Sequence, residues 1–172
     1  FALAIHDERA RTTFLARDRL GKKPLFYAVL DGVLHFASEL GALCRASSWR
    51  GELSLDALEG YLSLGYFLAP DSIYRGVHKL PPGHILTASA RQGVQTHRYW
   101  DVEFDPDYGK SEGYFVERLR DLLEESVRLR LIADVPVGAF LSGGIDSSAV
   151  AAFSARAGHR LQCFGVHFTG QG

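Results

Sequence analysis

The stretch "VPVGAFLSGGIDSSAVAAFSARAG" (residues 135–158) decides how this chain is read. Residues 135–141 form a continuous apolar run, which suits a strand buried on both faces. Residues 145–158 are alanine-rich and read as a helix ending at Gly158, a normal residue just past a helix C-terminus. Residues 161–168, "LQCFGVHF", read as a second buried strand. Strand, short loop, helix, strand is a βαβ unit, which implies a parallel sheet with a right-handed crossover.

In such a unit the loop after the first strand lines the ligand crevice. Here that loop is "SGGIDSS" (142–148). Gly143 and Gly144 carry no side chains, so backbone N–H groups can approach an anion closely. The helix beginning near Ile145 adds unpaired N–H groups and the positive end of its dipole. Ser142, Ser147 and Ser148 add hydroxyl donors. The pattern is a phosphate or pyrophosphate cradle. It is not a Walker A loop, which needs a lysine that this loop lacks, and it is not GxGxxG. Asp146 is the unusual member. A carboxylate beside a phosphate repels it unless a cation lies between them, and Mg²⁺ held by one carboxylate and phosphate oxygens resolves the conflict. The simpler alternative is a tight glycine turn with Asp146 or Ser147 as a helix cap.

Composition sets the frame. The chain has 172 residues, 47% hydrophobic and 23% charged, enough for one good core or two small ones. A net charge of −1 gives no basic excess for nucleic acid and no acidic tail. No apolar run approaches the roughly 18 residues of a membrane span. Cys44 and Cys163 make no disulfide framework and no metal spacing, so they read as buried structural thiols in a reducing cytoplasm. His6, His35, His78, His84, His97, His159 and His167 show no metal-ligand spacing. Trp49 and Trp100 read as packing anchors. The chain contains no methionine and opens on the strand-like "FALAI", which reads as a fragment of a longer protein.

The first hundred residues read as mainly β structure. Apolar and aromatic runs at 1–7, 12–18 and 24–30 have strand length. Asp31-Gly32 between two apolar runs predicts a type I′ hairpin. Residues 38–46 read as a short helix with Ser38 as its N-cap. Ser54 is the expected cap of a helix reaching Gly65, with Leu55, Leu58, Tyr61 and Leu62 on one face. A Pro-Pro-Gly turn leads to a strand at 84–88, which pairs with 94–100. The acidic stretch 102–110 is the linker candidate, dividing domains at 1–101 and 111–172. A long amphipathic helix follows from 111 to 131. Phe115, Leu119, Leu122, Leu123 and Val127 form its apolar stripe, and Glu124–Arg128 is the expected ion pair on its other face.

"SGGIDSS" resembles the SGGxDS signature of the PP-loop ATP pyrophosphatases, which cleave ATP between the α- and β-phosphates. Upstream, "FALAIHD" (1–7), "ARDRLGKKPLFY" (16–27) and "FASEL" (36–40) resemble the later part of the glutaminase domain of glutamine-dependent asparagine synthetases. "LPPGHIL" (80–86), "RYWD" (98–101) and "DVPVGAFLSGGIDSS" (134–148) continue the resemblance in the family's order. It covers nearly the whole chain.

The resemblance implies an α+β first part, from an Ntn-type α/β sandwich, then an α/β parallel-sheet PP-loop domain, both truncated. It implies a ligase that activates aspartate with ATP and Mg²⁺ as an acyl-adenylate, which ammonia from glutamine then converts to asparagine. Ser142, Gly143, Gly144, Asp146 and Ser147 match the PP-loop, with Asp146 on the metal. Leu141 and Val166 match positions that contact the adenosine part of ATP. The partners implied are aspartate, glutamine and ATP, without nucleic acid or membrane, in a cytoplasmic protein that can form a homodimer. The family's glutaminase nucleophile is a cysteine at the first position of the mature chain. Phe1 and Cys44 do not supply it, so this chain alone is expected to leave glutamine intact and to bind ATP weakly at most. Arg17 and Asp18 look like a catalytic pair, but the resemblance makes their segment structural. Ser38 and Glu39 are either a helix cap or a contact on the path of ammonia. Amide ligases or cyclases of the β-lactam synthetase kind, and degenerate non-catalytic paralogues, share the same layout.

Overall fold

The computed structural model describes residues 1–45 and 50–167, and Trp49 lies outside the described residues, as do Ala46 and Phe168 at the ends of two expected segments. The chain divides into two compact units, Phe1–Phe104 and Asp105–Gly172.

Among the described residues, the first unit holds seven strands and two helices. The strands are β1 (Ala2–Asp7), β2 (Thr12–Arg17), β3 (Phe26–Leu30), β4 (Val33–Ala37), β5 (Val77–Lys79), β6 (His84–Ser89) and β7 (Gly93–Arg98); the helices are α1 (Leu40–Leu43) and α2 (Leu55–Leu64). The strands form two antiparallel sheets, ordered β1-β2-β6-β7 and β4-β3-β5. Leu15 and Leu86 from the first sheet meet Leu25 and Leu80 beside the second, all buried, with Tyr27, Leu34, Ala88 and Val94 around them. Each such leucine contributes about 1.5–3 kcal/mol by leaving water. The other face of the three-stranded sheet buries Ala28 and Val77 under Leu43 of α1.

Local chemistry explains the turns. Asp31 and Gly32 have φ of 50° and 76°, the two positive values that a type I′ hairpin requires. Ser54 caps α2, its Oγ accepting from the Ala57 N–H at 3.3 Å, and Gly65 ends it with φ 79°. Ser38, however, does not cap α1. Glu39 occupies the cap position in extended geometry without a side-chain bond, and a four-residue helix has little need of one. The apolar face of α2 is also not buried in this unit: Leu55 is 66% and Leu62 76% exposed. Periodicity put those residues on one face, but among the described residues no other layer covers it.

The second unit contains α3 (Glu112–Arg130), β8 (Gly138–Phe140), α4 (Ile145–Arg156) and β9 (Gln162–Phe164). Ser111 caps α3 through the Tyr114 N–H at 3.3 Å. β8 and β9 pair in parallel, Gly138 with Gln162 and Phe140 with Phe164, so the expected βαβ unit is present. Three features differ from expectation. The strands are three residues long, and Val135 and Phe140 are 70% and 80% exposed, not buried on both faces. Among the described residues the sheet has only these two strands. Of the α3 stripe, Val127 is buried while Phe115, Leu119, Leu122 and Leu123 remain exposed. Glu124 pairs with Arg156 of α4 at 3.6 Å instead of with Arg128, tying the two helices together.

Candidate functional site

The candidate loop leaves β8 at Leu141, whose N–H donates to the Phe164 carbonyl at 2.8 Å. The two parallel strands come this close because of Gly138. A Cβ there would lie 2.8 Å from the Phe164 ring and 3.1 Å from the Gln162 carbonyl oxygen. Sequence reasoning passed over this glycine, although a glycine inside a strand signals close approach of backbone.

Gly143 turns the chain with φ 83°, a conformation that side chains resist. Gly144 then takes the N-cap of α4 in extended geometry, with no side-chain cap. This decides against the alternative in which Asp146 or Ser147 caps the helix. The first α4 bond of this turn runs from the Ser148 N–H to the Gly144 carbonyl at 3.1 Å. The N–H groups of Ile145, Asp146 and Ser147 precede it and have no acceptor within the helix. An anion placed there would meet those donors and the positive dipole end.

The hydroxyls are arranged around this end. Ser147 Oγ donates to the Gly144 carbonyl at 3.1 Å, and Ser142 Oγ lies 3.2 Å from Ser147 Oγ. Ser147 spends its hydrogen on Gly144, so Ser142 is the donor between them. Asp146 stands exposed in the first turn of α4, and no hydrogen bond or ion pair among the described residues occupies its carboxylate. Leu141 lies at one end of the loop and Val166, 73% exposed, just beyond β9. The structure therefore collects Ser142, Gly143, Gly144, Asp146 and Ser147 on one short loop and helix start.

The other candidates are structural. The Arg17 guanidinium donates to three carbonyls, Lys23 at 2.9 Å, Leu80 at 2.7 Å and Gly21 at 2.9 Å. Partial burial pulls its pKa down, against the attraction of Asp18. The Asp18 carboxylate accepts the N–H groups of Lys23 and Lys22 at 3.0 Å and of Leu20 at 3.2 Å. Those bonds, the Lys23 one foremost, hold it well below the usual carboxylate range. The pair shapes the "RDRLGKK" turn, with both side chains bonded to its backbone. Ser38 and Glu39 are both exposed. Cys44 is half-buried and Cys163 exposed, and both thiols are free, so the expectation of two buried thiols fails. Among the described residues no group of three or more His, Cys, Asp or Glu side chains stands together. No helix among them is long and apolar enough to cross a membrane.

A family model described as a glutamine amidotransferase domain matches residues 1–100, and one described as asparagine synthase matches residues 118–172. Asparagine synthetase (glutamine-hydrolyzing) 3 of Bacillus subtilis is 38% identical over 156 residues, covering 90% of this chain and 25% of its own length. Asparagine synthetase (glutamine-hydrolyzing) 1 of the same organism is 33% identical over 172 residues, covering 100% of this chain and 27% of its own. Amidase chry2 of Gibberella zeae is 37% identical over 154 residues, covering 88% and 22%. The chain thus spans about a quarter of the length of the curated relatives it matches. A solved glutamine phosphoribosylpyrophosphate amidotransferase from B. subtilis superposes with a TM-score of 0.30 at 15% identity, covering 89% of this chain and 30% of that one, too loosely to bear on the fold. With the amidotransferase match spanning more than half of it and the asparagine synthase match behind, the chain belongs to the glutamine-dependent asparagine synthetase family.

Proposed function

We propose that a full-length protein carrying this chain makes asparagine. ATP adenylates the aspartate side chain to β-aspartyl-AMP, and ammonia released from glutamine displaces AMP. In this reading residues 1–101 are the later part of an Ntn-type glutaminase domain, 102–110 a linker, and 111–172 the opening part of a PP-loop domain. One observation carries it. In a chain of this family, β8 feeds a helix whose N-terminus is capped by glycine and open to an anion, beside an unpaired Asp146.

Each residue then has a task. The N–H groups of Ile145, Asp146 and Ser147 hold the pyrophosphate end of ATP and stabilise it as it leaves. Gly143 and Gly144 let those phosphate oxygens reach the backbone. The Ser142 and Ser147 hydroxyls add donors at the same end. Leu141 and Val166 border the adenosine part. Mg²⁺ accepts few protein ligands and keeps several waters, so one exposed carboxylate together with phosphate oxygens suits it, and Asp146 is the residue that would hold it. Bound there, the metal neutralises charge building on the leaving pyrophosphate. No protein nucleophile is required, because the aspartate carboxylate attacks the α-phosphorus itself. Glutamine hydrolysis calls for a nucleophile, and none of the residues described above serves as one. The free Cys44 and Cys163 are in keeping with a reducing cytoplasm.

A second reading rests on the relatives named amidases: the same adenylation serves another carboxylate. The experiment that separates the two is pyrophosphate and AMP release from ATP by the full-length protein supplied with ammonia, with and without aspartate. Aspartate-dependent release in equal amounts supports asparagine formation. Release with other carboxylic acids but not with aspartate would sink it.

A further inference from the structure

Gly138 is a glycine that its own backbone does not require. Its φ lies outside the left-handed region that favours glycine, unlike that of Gly143 at 83°. A glycine inside a strand also weakens the strand, because it loses more freedom on folding and offers no side chain to pack. What requires it is space. A Cβ at Gly138 would lie 2.8 Å from the Phe164 ring and 3.1 Å from the Gln162 carbonyl oxygen. The second neighbour is backbone of β9, so an added methyl pushes the two strands apart unless the ring and that carbonyl both give way.

The closeness holds something further along the strands. Phe140 aligns with Phe164, and the Leu141 N–H donates to the Phe164 carbonyl at 2.8 Å. Gly165 lies beside the Leu141 carbonyl oxygen, which a Cβ there would meet at 3.5 Å. Leu141 is thus clasped to the residues just before Val166, and the approach of β8 to β9 sets the spacing of Leu141 and Val166. The anion end of the loop is set by other, local contacts. These are the left-handed turn at Gly143 and the bonds of Ser142 and Ser147 to one another and to Gly144. The two ends of the candidate site therefore depend on different parts of the chain.

We propose that Gly138 is a positioning residue for ATP: by letting β8 close on β9 it sets the gap between Leu141 and Val166 that receives the adenosine part. This rests on the adenylation reading of the loop. Calorimetric titration of the full-length protein with Mg-ATP, AMP and Mg-pyrophosphate tests it. Gly138→Ala should weaken Mg-ATP and AMP at least about tenfold, the effect of a small misplacement at a site, and leave Mg-pyrophosphate within about twofold. The adenosine part does not change in the reaction, so KM for ATP should rise while kcat at saturating ATP stays within about threefold. A general loss of folding would weaken all three ligands together. Phe164→Leu added to Gly138→Ala removes the tighter contact and should recover most of the nucleotide affinity. Should Gly138→Ala not fold, Gly138→Val in the Phe164→Leu background refills the space and should show the same split. Undiminished nucleotide affinity in the folded variant, equal losses for AMP and pyrophosphate, or no recovery on adding Phe164→Leu would overturn the proposal. A wild type that binds no Mg-ATP would instead sink the adenylation reading, and this inference with it.

Discussion

Gly83 and Trp100 are in backbone contact. The Trp100 N–H donates to the Gly83 carbonyl at 3.2 Å, and a Cβ on Gly83 would sit 2.5 Å from the Trp100 carbonyl oxygen. The Gly83 N–H in turn donates to the Asp18 carbonyl at 3.0 Å, and the Tyr99 hydroxyl donates to the Arg17 carbonyl at 2.7 Å. Three motifs far apart in sequence, "RDRLG", "PPG" and "RYW", are thus bound into one knot.

Gly83→Ala should loosen that knot. The new methyl meets backbone, which has no easy way to give, and φ 66° adds strain. A loss of about 2 kcal/mol or more is expected. Denaturant unfolding followed by tryptophan fluorescence reads it, and an unchanged midpoint would contradict the geometry.

Asp18 makes a pH prediction. Its folded-state pKa is depressed by backbone N–H bonds, first from Lys23 and then Lys22. The ionised carboxylate therefore adds stability that is fully present above its unfolded value of about 3.9 and is lost as pH falls toward the folded value. In Asp18→Asn an NH₂ must face one of those N–H groups. The stability gap between wild type and Asp18→Asn should be wide at neutral pH and shrink below about pH 4. A gap independent of pH would rule out this role.

Gly143 separates stability from chemistry. A Cβ there meets nothing within 4 Å, so Gly143→Ala should cost only the left-handed backbone, about 1 kcal/mol. ATP-dependent pyrophosphate release by the full-length protein should fall far more than that stability loss explains. Equal small effects on both would remove the loop from the reaction.

Sequence reasoning reached the features that local chemistry dictates. Asp31-Gly32 forces its hairpin, Ser54 bonds its helix start, and glycines end or turn helices where φ must be positive. It missed what depends on distant partners. The three carbonyls around Arg17 come from residues 21, 23 and 80, and no pattern in "ARDRLG" announces Leu80. Periodicity grouped Leu55 with Leu62, and Phe115 with Leu119, without saying whether another layer covers them. The candidate loop was legible because its motif lies in five residues near one another. The exposure of Phe140 was not, because burial of a strand depends on layers that its own sequence does not encode.

The most direct test of the central claim is Asp146→Asn in the full-length protein. Aspartate-dependent pyrophosphate release from Mg-ATP should fall at least about 100-fold, the scale of losing a preorganised charge-stabilising group. The thermal midpoint should stay unchanged, because Asp146 is exposed and unpaired. Wild-type turnover in a folded Asp146→Asn protein would contradict the reading of this loop as a pyrophosphate cradle with its own metal ligand.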